Sequence, residues 1–147
     1  MGYFYLGLAL LGGIAIPIQV GINASLAKQL DSSTMAAFIS FAVGAIGLLI
    51  YNLTTRQSLP AFDTAARLPV WMWAGGLLGA FVVWVAIASG HKIGALSLMG
   101  AFLAGQLFAT LVIDHYGLLG FPERPLNWER MLGTGFLILG VALIRKF

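Results

Sequence analysis

Gln19 and Asn23 stand four residues apart inside an apolar run, so on a helix their amides share one face. Gln106, Thr110 and Asp114 repeat that spacing and form a polar stripe along a second helix. Amides and a hydroxyl set this way can hold a polar solute by hydrogen bonds, and a carboxylate can also relay a proton or hold a cation. Trp84 can add an aromatic wall and a single N–H donor. Each group has a plainer reading beside this one. Gln19 and Asn23 could clamp two helices together, or Asn23 could sit at headgroup level. Asp114 could pair with a loop arginine such as Arg124, and Trp84 could simply pack or face lipid.

Other chemistry finds little support. Cysteine is absent, so there is no disulfide, thiolate metal site or redox couple. His91 and His115 lack metal-ligand spacing, and no nucleotide loop, paired catalytic carboxylates or nucleophile–base motif occurs. No enzyme activity, cofactor or metal is expected. No Asp, Glu, Lys or Arg lies at the centre of an apolar run, so the mid-depth polar groups suit a neutral or zwitterionic solute, or an anion held by amides. A cation meeting Asp114 remains open. The reading is transport of a small molecule. The alternative is an ion or small-solute channel lined by Gln, Asn and Thr, and a third is a non-transporting membrane subunit.

The elements that position these groups follow from composition. Of 147 residues 60% are hydrophobic and 9% charged, with mean hydropathy +0.95, against about 25% charged in a soluble domain. So few charges cannot build a water-facing surface, and lipid must cover most of the outside. The expectation is an all-α integral membrane protein, one transmembrane domain over residues 1–147. The net charge of +3 is too small and too dispersed for nucleic acid. The first apolar run has no basic residue before it and is expected to be retained rather than cleaved. A crossing needs roughly 20 mostly apolar residues. Five spans are expected, at about 3–23 (with helix continuing to Leu30), 34–53, 70–89, 93–113 and 131–144. Asp31-Ser32-Ser33-Thr34 offers caps for the second helix. Residues 54–69 and 115–130 read as polar loops, and Gly90-His91-Lys92 as a tight link between antiparallel neighbours. Pro17 should kink the first span. Gly75/Gly79, Gly76/Ala80, Ala36/Ser40 and Ser40/Gly44 recur at helix-packing distance.

Five spans put the termini on opposite faces. One face carries Arg56, Arg67, Arg124 and Arg130, the other Lys28, Lys92, Arg145 and Lys146, which divides the 8 basic residues evenly. An excess of Lys and Arg fixes orientation, and here there is none. Either a weaker bias sets the orientation, or the chain inserts both ways and pairs as an antiparallel homodimer.

The strings GGIAIPIQVGINASLAKQL, FAVGAIGLL, PVWMWAGGLLGAFVVW and GQLFATLVIDHYGLLGFPERPLNWERMLGTGFLILGVALI, taken in order, resemble the YdcZ-like family of small bacterial inner-membrane proteins within the drug/metabolite transporter superfamily. The resemblance covers nearly the whole chain. Members occur as single genes, oppositely biased pairs or tandem fusions, so it implies a 5+5 assembly with inverted halves in the inner membrane. The family pattern falls on Pro17, Gln19, Asn23, Gln106 and Asp114 without assigning them roles. It implies a secondary transporter, an exporter of small polar or amphiphilic metabolites or drugs working by alternating access, with its substrate unspecified.

Overall fold

A computed structural model describes residues 2–58 and 61–146. All regular structure among them is helical: α1 (Gly2–Leu30), α2 (Ser33–Thr54), the short α3 (Phe62–Ala66), a 3-10 turn (Val70–Trp73), α4 (Ala74–Ile93), α5 (Ala95–Tyr116), a second 3-10 turn (Leu118–Gly120) and α6 (Trp128–Lys146). Among the described residues four stretches are long and apolar enough to cross a membrane: Tyr3–Leu30, Ser33–Thr54, Val70–Ile93 and Ala95–Tyr116. The fifth long helix, α6, has 19 residues and spends four of them on Glu129, Arg130, Arg145 and Lys146.

The chain divides into two compact units, Met1–Lys92 and Ile93–Phe147. In the first, α1 runs unbroken through Pro17 for 29 residues and turns sharply into α2. Asp31 adopts φ 50°, the left-handed conformation that Asp tolerates better than most residues. That lets the Ser32 N–H donate to the Ala27 carbonyl at 3.1 Å and close α1. The Ser32 hydroxyl then accepts from the Met35 N–H at 3.1 Å and caps α2. One serine thus ends one helix and begins the next.

Small side chains let the helices of this unit meet. Ala27, Ala36, Ala37 and Ile87 form a buried cluster, with Leu26 and Val83 packed against it. Ala36 is fully enclosed, and Gly79 lies beside the Phe41 ring. Apolar side chains elsewhere on α1 and α2 point outward, Tyr3, Leu10 and Leu48 among them. A helix apolar all round is suited to a lipid surrounding.

In the second unit α5 and α6 pack together, most tightly at Gly100, where a Cβ would stand 2.8 Å from Cγ1 of Val141. Gly117 ends α5 in the left-handed region (φ 57°), its N–H donating to the Ile113 carbonyl. A Cβ there would meet Glu123 at 3.2 Å, so the returning loop also requires glycine.

Two expectations need correction. Gly90, His91 and Lys92 are not a link but the last turns of α4; the helix breaks at Gly94, whose φ of 81° and ψ of 153° only glycine adopts readily. Gly90 can stay helical because nothing forces it into such a conformation. The third apolar run begins as a 3-10 turn at Val70 and becomes α-helical at Ala74. The stretch 54–69 is not all loop, because Phe62–Ala66 forms a helical turn.

Candidate functional site

The groove between α1 and α2 is where polar chemistry meets apolar walls. Gln19 and Asn23, one turn apart on α1, and Ser40 on α2 line it with Ile18, Ile22 and Val43, an open groove of about 450 Å³. No lining side chain is charged. The helical period places the two amides together as expected, and the antiparallel return of α2 after the Ser32 turn brings Ser40 opposite them. Lys28 is nine residues beyond Gln19 and five beyond Asn23 on α1. At 1.5 Å per residue the amides lie about 14 Å and about 8 Å along the axis from that charge.

Asn23 is the unusual member. It is 5% exposed, the single buried polar residue among the described side chains. Its Nδ2 has no hydrogen-bond partner. A buried donor without an acceptor costs roughly 1–3 kcal/mol. Gln19 is exposed at the groove mouth.

A second hollow of about 470 Å³ lies at the α1–α2 turn, lined by Ala27, Lys28, Asp31, Ser33, Ile87 and His91. The His91 Nε2 stands 3.3 Å from the Ala24 carbonyl. A carbonyl can only accept, so in this contact Nε2 is the donor.

In the second unit Asp114 is held from several sides. Its Oδ2 accepts from Arg130 Nη2 at 3.1 Å, with both side chains about 30% exposed. Arg130 Nη1 also donates to the Arg124 carbonyl at 3.0 Å, while the Arg124 N–H donates to the Asp114 carbonyl at 2.6 Å. His115 Nδ1 accepts from the Leu126 N–H at 3.3 Å. These bonds fold residues 117–127 back onto the end of α5. The ion-pair partner is Arg130, not the Arg124 suggested by loop position. Asp114, Arg130, Thr110 and Thr134 line a groove of about 260 Å³.

Thr110 spends its proton inside its own helix, donating to the Gln106 and Leu107 carbonyls at 2.8 Å and 3.0 Å. Gln106 is exposed and lines neither groove. Trp84 is 42% exposed beside Phe81, with ring centroids 6.5 Å apart, and lines neither groove. Pro17 lies within α1 but does not line the Gln19–Asn23 groove. The structure therefore joins Gln19 with Asn23, and Thr110 with Asp114, each pair within its own unit. Spacing marks Ser40 only as a small packing residue, and loop position gives His91 and Arg130 no role in a site. Ser40 lies three and four residues from Ala37 and Ala36, the signal of a face turned toward another helix. Among the described residues no three His, Asp or Glu side chains gather closely enough to hold a metal ion.

Comparison with known proteins gives a consistent picture. A family model described as "Putative inner membrane exporter, YdcZ" matches residues 4–143. The inner membrane protein YdcZ of Escherichia coli (strain K12) is 24% identical over 135 residues, covering 91% of this chain and 89% of that protein. No solved structure matches.

Proposed function

The chain belongs to the YdcZ family of multi-pass inner-membrane proteins, and from that premise we propose that it is a small secondary transporter exporting small polar or amphiphilic molecules. The observation that carries this reading is the Asn23 amide, buried at the edge of an uncharged groove with its donor unsatisfied. A side chain kept only to hold the fold would be expected to have its hydrogen bonds made. A buried amide left unpaired in the wall of a solute-sized groove marks a polar group kept for something other than packing.

In this proposal all five long helices cross the bilayer, and two oppositely inserted copies form the working unit. The equal division of basic residues supports the inverted pair. The dimer would be its own inverted repeat, and alternating access an exchange between two mirror-related conformations. Gln19, Asn23 and Gln106, with Trp84 as a wall, are the proposed solute contacts. Asp114 is the candidate for ion coupling. The fifth helix, α6, is the candidate dimer element.

The test is flux from proteoliposomes carrying the purified chain, across a panel of neutral and zwitterionic metabolites. Export predicts a slow, saturable rate that Asn23→Ala and Gln106→Ala each abolish while the protein still assembles. Fast, unsaturable conductance would make it a channel, and undiminished flux in both variants would place the path elsewhere.

A further inference from the structure

The hollow at the α1–α2 turn carries two opposite charges that do not meet. Lys28, in the last turn of α1, and Asp31, just beyond it, both line the wall, with Ser33 on α2 and His91 on α4. A lysine and an aspartate three residues apart on one helix would be neighbours. Here Asp31 has left the helix at φ 50°, which takes it out of that relation. Among the described residues the one ion pair is Asp114–Arg130, so Lys28 and Asp31 close none with each other. The hollow of about 470 Å³ therefore presents an unpaired cation and an unpaired anion to the same space. Ala27 and Ile87, both buried, make its apolar part. The His91 ring is held beside them by its 3.3 Å contact with the Ala24 carbonyl.

A ligand of one sign would pair with one of these side chains and be repelled by the other. A zwitterion meets both. Position narrows the class further. The hollow lies where α1 ends at Leu30, α2 begins at Ser33 and α4 approaches its end at Ile93. Both α1 and α2 are apolar over crossing length, so the turn that joins them stands at headgroup depth. Leu30 and Met35, on either side of the turn, are exposed and offer apolar contact to an acyl chain.

We propose that this hollow holds the headgroup of a zwitterionic phospholipid whose cation is a primary ammonium, as in phosphatidylethanolamine. Lys28 takes the phosphate and Asp31 takes the ammonium, with the Ser33 hydroxyl beside them. A primary ammonium donates hydrogen bonds to a carboxylate, and the trimethylammonium of phosphatidylcholine has none to give. Phosphatidylglycerol brings no cation for Asp31 at all. The site is separate from the Gln19–Asn23 groove and does not rest on the transport reading.

The test titrates the purified full-length chain in detergent with dihexanoyl forms of these three lipids, each below its micelle concentration. A ligand of the native state raises the unfolding midpoint by mass action. The ethanolamine lipid should raise it, and the other two should do so less at equal concentration. Lys28→Gln and Asp31→Asn should each increase the ethanolamine lipid needed for half the effect about tenfold, which corresponds to about 1.4 kcal/mol. Lys28 is exposed, and Asn tolerates the left-handed conformation of residue 31 as Asp does, so both variants should keep the fold. Asp31→Asn should also lose the discrimination against phosphatidylglycerol, a change of selectivity that mere loosening of the turn would not produce. Glycerophosphoethanolamine, the same headgroup without acyl chains, should act more than about tenfold more weakly.

No shift with the ethanolamine lipid, or equal shifts with all three, would overturn the proposal. So would a preference for either other lipid, or an ethanolamine preference that survives both substitutions. Glycerophosphoethanolamine as potent as the lipid would make the ligand a soluble zwitterion and overturn the lipid assignment.

Discussion

At the scale of single residues, the molecule treats its polar groups in two ways. Asp114 is surrounded by partners, with Arg130 on its carboxylate and the Arg124 N–H on its carbonyl. Asn23 is enclosed and has none for its Nδ2. The contrast separates a group that fastens from a group that waits. A partly exposed ion pair of the Asp114–Arg130 kind contributes about 1 kcal/mol at most. Asp114→Asn keeps one acceptor oxygen for Arg130 and should cost less than Asp114→Ala, read as unfolding midpoints. If the carboxylate only fastens the 117–127 return, Asp114→Asn should leave the pH dependence of flux unchanged. Loss of that dependence in a stable variant would instead make Asp114 the coupling group. Spacing alone could bring Gln19 beside Asn23, because a helix fixes neighbours four apart. It could not supply Ser40 or Arg130, which reach their sites across a turn or a loop whose path no periodicity encodes.

At the scale of elements, the long helices were legible because apolar runs of crossing length leave little choice of structure. Their ends were legible where capping residues are distinctive, as at Ser32, and misread where they are not. Gly90 and Gly94 look alike in a string, yet only Gly94 carries a positive φ. Packing was the least legible level. Of the small-residue pairs named from spacing, Ala36 is fully enclosed and Gly79 touches Phe41, while Gly44, Gly75 and Gly76 have open space around them. The closest approach is at Gly100, four residues before Ala104, a pair of the same type that spacing does not distinguish from the others. A methyl group there would strike a β-branched side chain with little freedom to move. Gly100→Ala should therefore loosen α5 from α6 at a cost of about 1–3 kcal/mol. Val141→Ala in the same chain should restore most of it, as measured by thermal unfolding of single and double variants. Failure of the second change to compensate would mean that the contact bears little weight.

At the scale of the whole molecule, orientation is the quantity on which the paired arrangement depends. A C-terminal reporter should be found on both sides of the inner membrane, and replacing Arg56 and Arg67 with Gln should shift it toward one side. A wild-type reporter confined to one side would remove the inverted homodimer and leave the α1–α2 groove untouched. A different consequence follows from the length of α1. From Tyr5 to Lys28 the helix rises about 35 Å, whereas the hydrocarbon of a typical bilayer is about 30 Å thick. To keep its aromatic and basic ends at the two interfaces, α1 must lean, bend or stretch the lipid around it. The opening of the Gln19–Asn23 groove is then coupled to the width of the bilayer. Reconstitution in a series of lipids of increasing acyl length should change the transport rate with an optimum, and a flat response would show that α1 meets its surroundings without strain.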